Sequence, residues 1–302
     1  MEEDPNFCNS KAIYHKISAH CVVGGKEFSF PFHAVLPHGC GKFPVIVHIK
    51  FNDKISDILM PAEEMVDSGF AYLSFYFKNV TSDDADMTDG LAGILFKDGQ
   101  RGETDAGKIA LWAWAAHRVM DYAQTIPVLD AEKSIVCGHS RLGKTALLAG
   151  ATDERFSIVY SNNSGCSGAA LFKNKEREDI EKITEHFPYW FCRNFLKYSG
   201  RDNEMPFDQH YLTACIAPRR VYVASAEADT WAGPVNEFLN CAAVSAYYEN
   251  MGVRGFVCDD GLPKPLALFH TGNIAYHIRE GEHRFGYEDW QYLLSYAKKA
   301  FT

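Results

Sequence analysis

No stretch of about 18 consecutive apolar residues occurs in the chain, which argues against a membrane-spanning helix. Paired cysteines are missing as well. The nine thiols, Cys8, Cys21, Cys40, Cys137, Cys166, Cys192, Cys215, Cys241 and Cys258, stand singly, without a C-x-x-C pair. That spacing excludes the common zinc and dithiol motifs, and an odd, scattered set fits buried or reduced thiols better than a disulfide framework. Basic charge is in deficit: 30 Lys and Arg face 39 Asp and Glu, a formal net charge of −9. Nucleic-acid binding, which favours a basic face, is therefore not expected. Repeats, low-complexity tracts and linkers rich in Pro, Gly or Ser are absent too. The first residues, Met1 to Pro5, are acidic and polar, with no apolar core of an export signal behind them. On that ground the protein reads as cytoplasmic and not membrane-bound, or as a secreted one whose leader has been removed.

What remains is 302 residues, 47% of them hydrophobic, enough to bury a large α/β core. Two early runs, Ile13 to Val23 and Glu27 to Leu36, meet at Gly24-Gly25 and read as an antiparallel hairpin. Phe43–Ile49 is a continuous apolar run suited to a buried parallel strand, and Gly69–Phe75, Ser134–Cys137, Ile158–Ser161, Arg220–Ser225 and Ala275–Arg279 read as further strands. Between them lie stretches with helical spacing, at Pro61–Asp67, Asp105–Thr125, Thr145–Ala149, Asn236–Glu249 and Tyr287–Ala300. Such alternation implies a mostly parallel sheet with helices on both faces. The chain 1–302 is expected to form one domain with two insertions near the site, at about 78–103 and 165–210.

Residues 138–145, Gly138-His139-Ser140-Arg141-Leu142-Gly143-Lys144-Thr145, fit two machines. As G-x-x-x-x-G-K-T they match a phosphate-cradling loop. As a strand-to-helix turn with Ser140 at its tip they match the nucleophile elbow of an α/β-hydrolase. The phosphate reading is the weaker. Arg141 and Leu142 are bulky for a backbone cradle, and Phe256-Val257-Cys258-Asp259, the nearest stand-in for a magnesium-binding strand, runs into an Asp260-Gly261 turn.

The elbow reading finds its partners elsewhere. A serine hydroxyl needs a neutral histidine to take its proton, and the histidine needs a carboxylate to fix its tautomer. α/β-Hydrolases supply these in the order Ser, acid, His, each after a strand. Here Ser140 follows one strand, Glu227 and Asp229 follow Arg220–Ser225, and His283 follows Ala275–Arg279. Asp229 is favoured over Glu227, since Ala226-Glu227-Ala228-Asp229 looks like the G-x-x-D turn. The plainer alternatives are a helix-capping role for Ser140 and a surface or core role for His283. In the elbow pattern G-x-S-x-G, Leu142 stands where glycine belongs, and glycine follows at 143.

From Gly138 onward the residues resemble the glucuronoyl esterases, carbohydrate esterase family 15, whose serine motif is G-C-S-R-x-G-K; His139 replaces the cysteine. The glycine-rich segment Asn162–Ala170 is similar to that family, as are Phe187–Cys192, Pro206–His210, Ala217–Arg220, Ser225–Ala232 and Ala113–Tyr122, so the likeness covers about residues 105–300. The resemblance implies an α/β-hydrolase fold, a three-layer sandwich, and hydrolysis of esters between glucuronic acid in xylan and lignin alcohols. It implies Ser140 as nucleophile, His283 as base, Arg141 at the oxyanion, and Lys144 and Trp231 at the sugar. Fungal members carry the triad acid as Glu in the glycine-rich loop, where this chain has Asn163; that shifts the acid to the Glu227/Asp229 loop. No metal or organic cofactor is expected, and the partner is a small carbohydrate ester. The alternatives are a deacetylase of acetyl-xylan or another sugar ester, and a catalytically silent sugar-binding module.

Overall fold

Ten strands form one sheet in a computed structural model that describes residues 2–55, 61–173, 178–259 and 261–302. In chain order they are β1 (Glu2–Asn6), β2 (Ala12–Val23), β3 (Lys26–Pro37), β4 (Phe43–Lys50), β5 (Ala71–Tyr76), β6 (Leu129–His139), β7 (Ile158–Asn162), β8 (Arg220–Ala226), β9 (Leu268–Phe269) and β10 (Ile274–Arg279). Their order across the sheet is β1-β2-β3-β5-β4-β6-β7-β8-β10-β9. The six from β5 to β10 in that order run parallel, and antiparallel strands close both edges. The expected hairpin is present, with Val23 opposite Lys26. The edge strands β1 and β9 carry no periodic apolar signal and were not expected; β9 has only two residues.

Period-2 alternation sorts the parallel strands into two cores. Val45, Val47, Val136, Val159, Val221, Val223 and Tyr276 face the helices Lys108–Thr125, Arg141–Thr152 and Pro234–Asn250. Ile46, Ile135, Ile158, Tyr160, Tyr222 and Ala275 face Ala62–Asp67 and the C-terminal helix Tyr287–Phe301. Trp112 fills the first layer and Trp290 the second, each fully buried. These are the three layers that the alternation of strands and helices implied.

Several boundaries move. The helix after β6 begins at Arg141, immediately beyond Ser140, rather than at Thr145. Phe256 makes only an isolated bridge to Ile274, so Phe256–Asp259 is not a core strand, and Asp260 lies outside the described residues. The 78–103 segment packs back on the body, with a short helix at Gly90–Leu95 and Thr81 buried. Within 165–210 the helix Ile180–His186 and the turn Pro188–Trp190 form, and residues 174–177 lie outside the described set.

Candidate active site

β6 ends at His139, and the chain reverses into the helix Arg141–Thr152 through Ser140 at φ 58°, ψ −128°. A side-chain-bearing residue is seldom found there, and such strain is characteristic of the hydrolase elbow. Backbone bonds hold the turn: Ser140 N–H donates to Asn162 O (2.8 Å), and Ser140 O accepts from Gly143 N–H (2.8 Å). The misplaced glycine has a physical reason. A Cβ at Gly143 would lie 3.0 Å from both Asn162 O and Ser164 Cβ, whereas Leu142 points into the core at 0% exposure. At Gly138 a Cβ would meet Leu142 O at 2.2 Å. Gly143 thus sits where the turn presses on the end of β7, and Gly138 where β6 presses on the first turn of the following helix.

His283 lies on the β10-to-helix loop and bonds through Nδ1 to Asp229 Oδ2 at 2.6 Å. Asp229 is 5% exposed; Glu227, two residues earlier, is exposed to solvent. The structure therefore pairs His283 with Asp229 and leaves Glu227 apart. Asn163 Nδ2 donates to the same Asp229 oxygen (2.8 Å), and Ala232 N–H donates to the other (3.2 Å). Burial pushes the Asp229 carboxyl up, but the His283 bond and charge and the Asn163 and Ala232 donors outweigh it and hold the group below the usual range. Asn163 stands where fungal glucuronoyl esterases are expected to carry an acid, and here it supports the acid instead.

The imidazole and the elbow are on the same edge of the sheet. The ring of His139, adjacent to Ser140, lies 4.4 Å from the ring of His283, centroid to centroid. His139 Nδ1 bonds to Asn162 Oδ1 (2.6 Å), whose amide donates to Asp289 Oδ1 (3.1 Å); this order fixes the Nδ1–H tautomer. Burial, then the charge of His283, lowers the His139 pKa to about 4, so this ring stays neutral around pH 7. Asp289 opens the C-terminal helix and accepts from Gly286 N–H (2.7 Å) and Arg279 Nε (3.0 Å). Arg279 in turn donates to Glu280 O (3.0 Å) and to Arg284 O, bracketing the loop that carries His283.

Arg141 lies partly exposed beside Ser140. Its guanidinium sits over Trp190 at 4.7 Å and Phe187 at 5.3 Å, and Nη1 donates to Asp83. Its Nε is fully buried and has no hydrogen-bond acceptor among the described residues. As the first residue of a helix its backbone N–H has no intrahelical acceptor either. Two donors of Arg141 are thus uncommitted next to the elbow.

The Lys144 expectation needs correction. Lys144 is 4% exposed and donates to Ser164 O (2.5 Å) and Cys166 O (2.6 Å), with Glu178 at 3.6 Å. Two of its three protons are spent underneath the glycine-rich loop, so its first task is to hold that loop. The same placement removes the phosphate-loop reading, because carbonyl oxygens rather than inward N–H groups surround the ammonium. Trp231 is half-exposed, and its Nε1 donates to Glu178 Oε1 at 3.0 Å. Glu178 also accepts from Cys166 N–H at 2.8 Å. In the sequence Glu178 is hidden in a charged run, Lys173 to Asp179, that reads as solvated surface. Asp83 is one of four aspartates in an eight-residue stretch, with nothing in the sequence to single it out.

Residues 19–252 match the family model described as glucuronyl esterase, fungi. This chain belongs to the glucuronoyl esterase family. It is 36% identical over 244 residues to carbohydrate esterase MZ0003 of an unknown prokaryotic organism, covering 80% of this chain and 56% of that one. Against the 4-O-methyl-glucuronoyl methylesterase of Schizophyllum commune it is 28% identical, covering 83% and 64%. The chain thus spans between about half and two thirds of these relatives. The glucuronoyl esterase of Solibacter usitatus superposes with a TM-score of 0.89 at 30% identity, covering all of this chain and 85% of that one. A promiscuous CE15 esterase from a marine bacterial metagenome superposes at 0.87 with 29% identity, covering 98% and 83%. The α/β-hydrolase fold of this glucuronoyl esterase family member is therefore shared with solved relatives.

Proposed function

We propose that this chain is a serine esterase acting on a 4-O-methyl-glucuronoyl ester. The observation that carries the reading is the His283–Asp229 pair, a 2.6 Å bond to a buried carboxylate, beside a serine at φ 58°. Ser140 Oγ attacks the ester carbonyl as His283 accepts its proton; Asp229 fixes the ring and steadies the imidazolium. The backbone N–H of Arg141, which follows the nucleophile and has no intrahelical acceptor, is the donor for the oxyanion, and the guanidinium beside it adds positive charge and an uncommitted Nε that a small turn of the side chain would present. His283 then protonates the departing alcohol, and a water deprotonated by His283 releases the uronic acid from Ser140. Asp229 stays ionised throughout, since the His283 bond and charge and the Asn163 and Ala232 donors hold its carboxyl below the usual range.

The substrate class rests on the relatives' names and on the exposed indole of Trp231. The half-exposed Trp231, its indole N–H fixed by Glu178, offers an apolar face to a pyranose. The assay is release of acid from methyl and benzyl glucuronate, with acetylated xylo-oligosaccharides in parallel. Hydrolysis of the glucuronate esters is expected; cleavage of the acetates alone would reassign the enzyme to deacetylation, and no cleavage of either would leave a silent binding module.

A further inference from the structure

Arg141 needs a fixed orientation to meet an oxyanion, and an unrestrained arginine side chain samples many rotamers. Its own helix supplies no acceptor for the guanidinium. The partner comes from the 78–103 segment. Asp83 Oδ2 accepts from Arg141 Nη1, Asp83 Oδ1 accepts from Trp190 Nε1 (2.8 Å), and the Asp83 carbonyl accepts from Tyr189 OH (3.1 Å). The Asp83 side chain is 5% exposed. One carboxylate therefore joins the arginine to the aromatic floor beneath it, where Phe187 and Trp190 stack at 3.9 Å and 3°.

Asp83 is itself anchored. Lys108, 0% exposed at the start of a core helix, donates to Ser82 Oγ (2.6 Å) and lies 3.5 and 3.6 Å from Asp84 and Asp89. Asp89 also accepts from Ser82 N–H (2.7 Å) and from Thr81 Oγ1 (2.8 Å). The turn that presents Asp83 is thus pinned to a buried ammonium, and the two insertions meet at the guanidinium.

We propose that Asp83 is the positioning residue of Arg141: by binding Nη1 it locks the guanidinium on Trp190, next to the nucleophile, and leaves Nε as the uncommitted donor. This rests on the esterase reading, with Arg141 as an oxyanion donor. Asp83 touches no reacting atom, so its whole effect must pass through Arg141.

A double-mutant cycle on the full chain tests this, with benzyl glucuronate as substrate. Asp83→Ala is expected to lower kcat about 10- to 100-fold, a fraction of the ~100- to 1000-fold loss typical of an oxyanion donor, with KM changing less. In the Arg141→Ala background, Asp83→Ala should lower kcat by less than about 2-fold further. The pH at which kcat falls on the acid side should not move, because the His283–Asp229 pair is untouched. Equal losses in both backgrounds would show a structural role and overturn the proposal, as would an unchanged kcat in Asp83→Ala. If Arg141→Ala alone left kcat unchanged, the oxyanion reading would fall, a result separate from a null effect at Asp83. Should Asp83→Ala not fold, Asp83→Asn, which retains an acceptor for Trp190, carries the same cycle.

Discussion

Replacing Asp229 by asparagine tests the proposed triad acid with minimal change of shape. The carboxylate accepts three hydrogen bonds, from His283, Asn163 and the Ala232 N–H. An amide cannot accept them all. With its oxygen kept toward Ala232, its NH2 faces both the Asn163 amide and His283 Nδ1. Asn163 can turn over, because its Oδ1 is buried without a hydrogen-bond partner and would receive the new donor. His283 must then take the Nε2–H tautomer, which has no lone pair for the Ser140 proton. The fold has a low-energy way to absorb the change and the chemistry has none. The expected loss in kcat is about 1000- to 10,000-fold, or about 4 to 5.5 kcal/mol at 1.36 kcal/mol per decade, while the melting temperature changes little. Glu227→Gln, at an exposed position, should stay within about 2-fold in kcat. Steady-state hydrolysis of benzyl glucuronate reads both. A large loss in Glu227→Gln with a mild one in Asp229→Asn would refute the assignment of the acid.

Three further outcomes follow from the same contacts. Lys144→Met leaves two loop carbonyls and Glu178 without their buried cation, and a cost of about 3–5 kcal/mol is expected; urea denaturation checks this, and wild-type stability would contradict the loop-holding role. Trp231→Ala should raise KM for the glucuronate ester several-fold and leave kcat nearly unchanged if, as proposed, the indole stacks on the sugar away from the reacting carbonyl; a fall in kcat alone would contradict that placement. His139 has its folded pKa lowered to about 4 from 6.5, so its stabilising contribution is complete above the unfolded value and is lost as pH falls from 6.5 toward 4. That amounts to about 2 kcal/mol between pH 7 and pH 5, and His139→Cys should lose correspondingly less on acidification in urea titrations; an unchanged difference between the two pH values would refute it.

The parallel core was legible because its strands are buried on both faces and read as unbroken apolar runs, with Val45 to Ile49 as the clearest case. Ser140, Asp229 and His283 were legible because the fold places each after a strand end, so order along the chain encodes proximity. The short edge strands were hidden, since β1 is exposed throughout and β9 is two residues long. Lys144 misled because sequence spacing puts it one turn from Ser140 but does not say which way a helical side chain leans. Here it leans under the glycine-rich loop. Asp83 and Glu178 were invisible for a related reason: their roles arise from tertiary contacts between insertions, with Arg141, Trp190 and Trp231 as partners 58, 107 and 53 residues distant.

The proposed chemistry requires a serine hydroxyl made nucleophilic by His283. Incubation with a fluorophosphonate probe, followed by peptide mapping, reads that reactivity without depending on the natural ester. A single adduct on Ser140 is expected, lost in Ser140→Ala and formed far more slowly in His283→Ala. An adduct on another residue, or labelling of Ser140 at the same rate without His283, would contradict it.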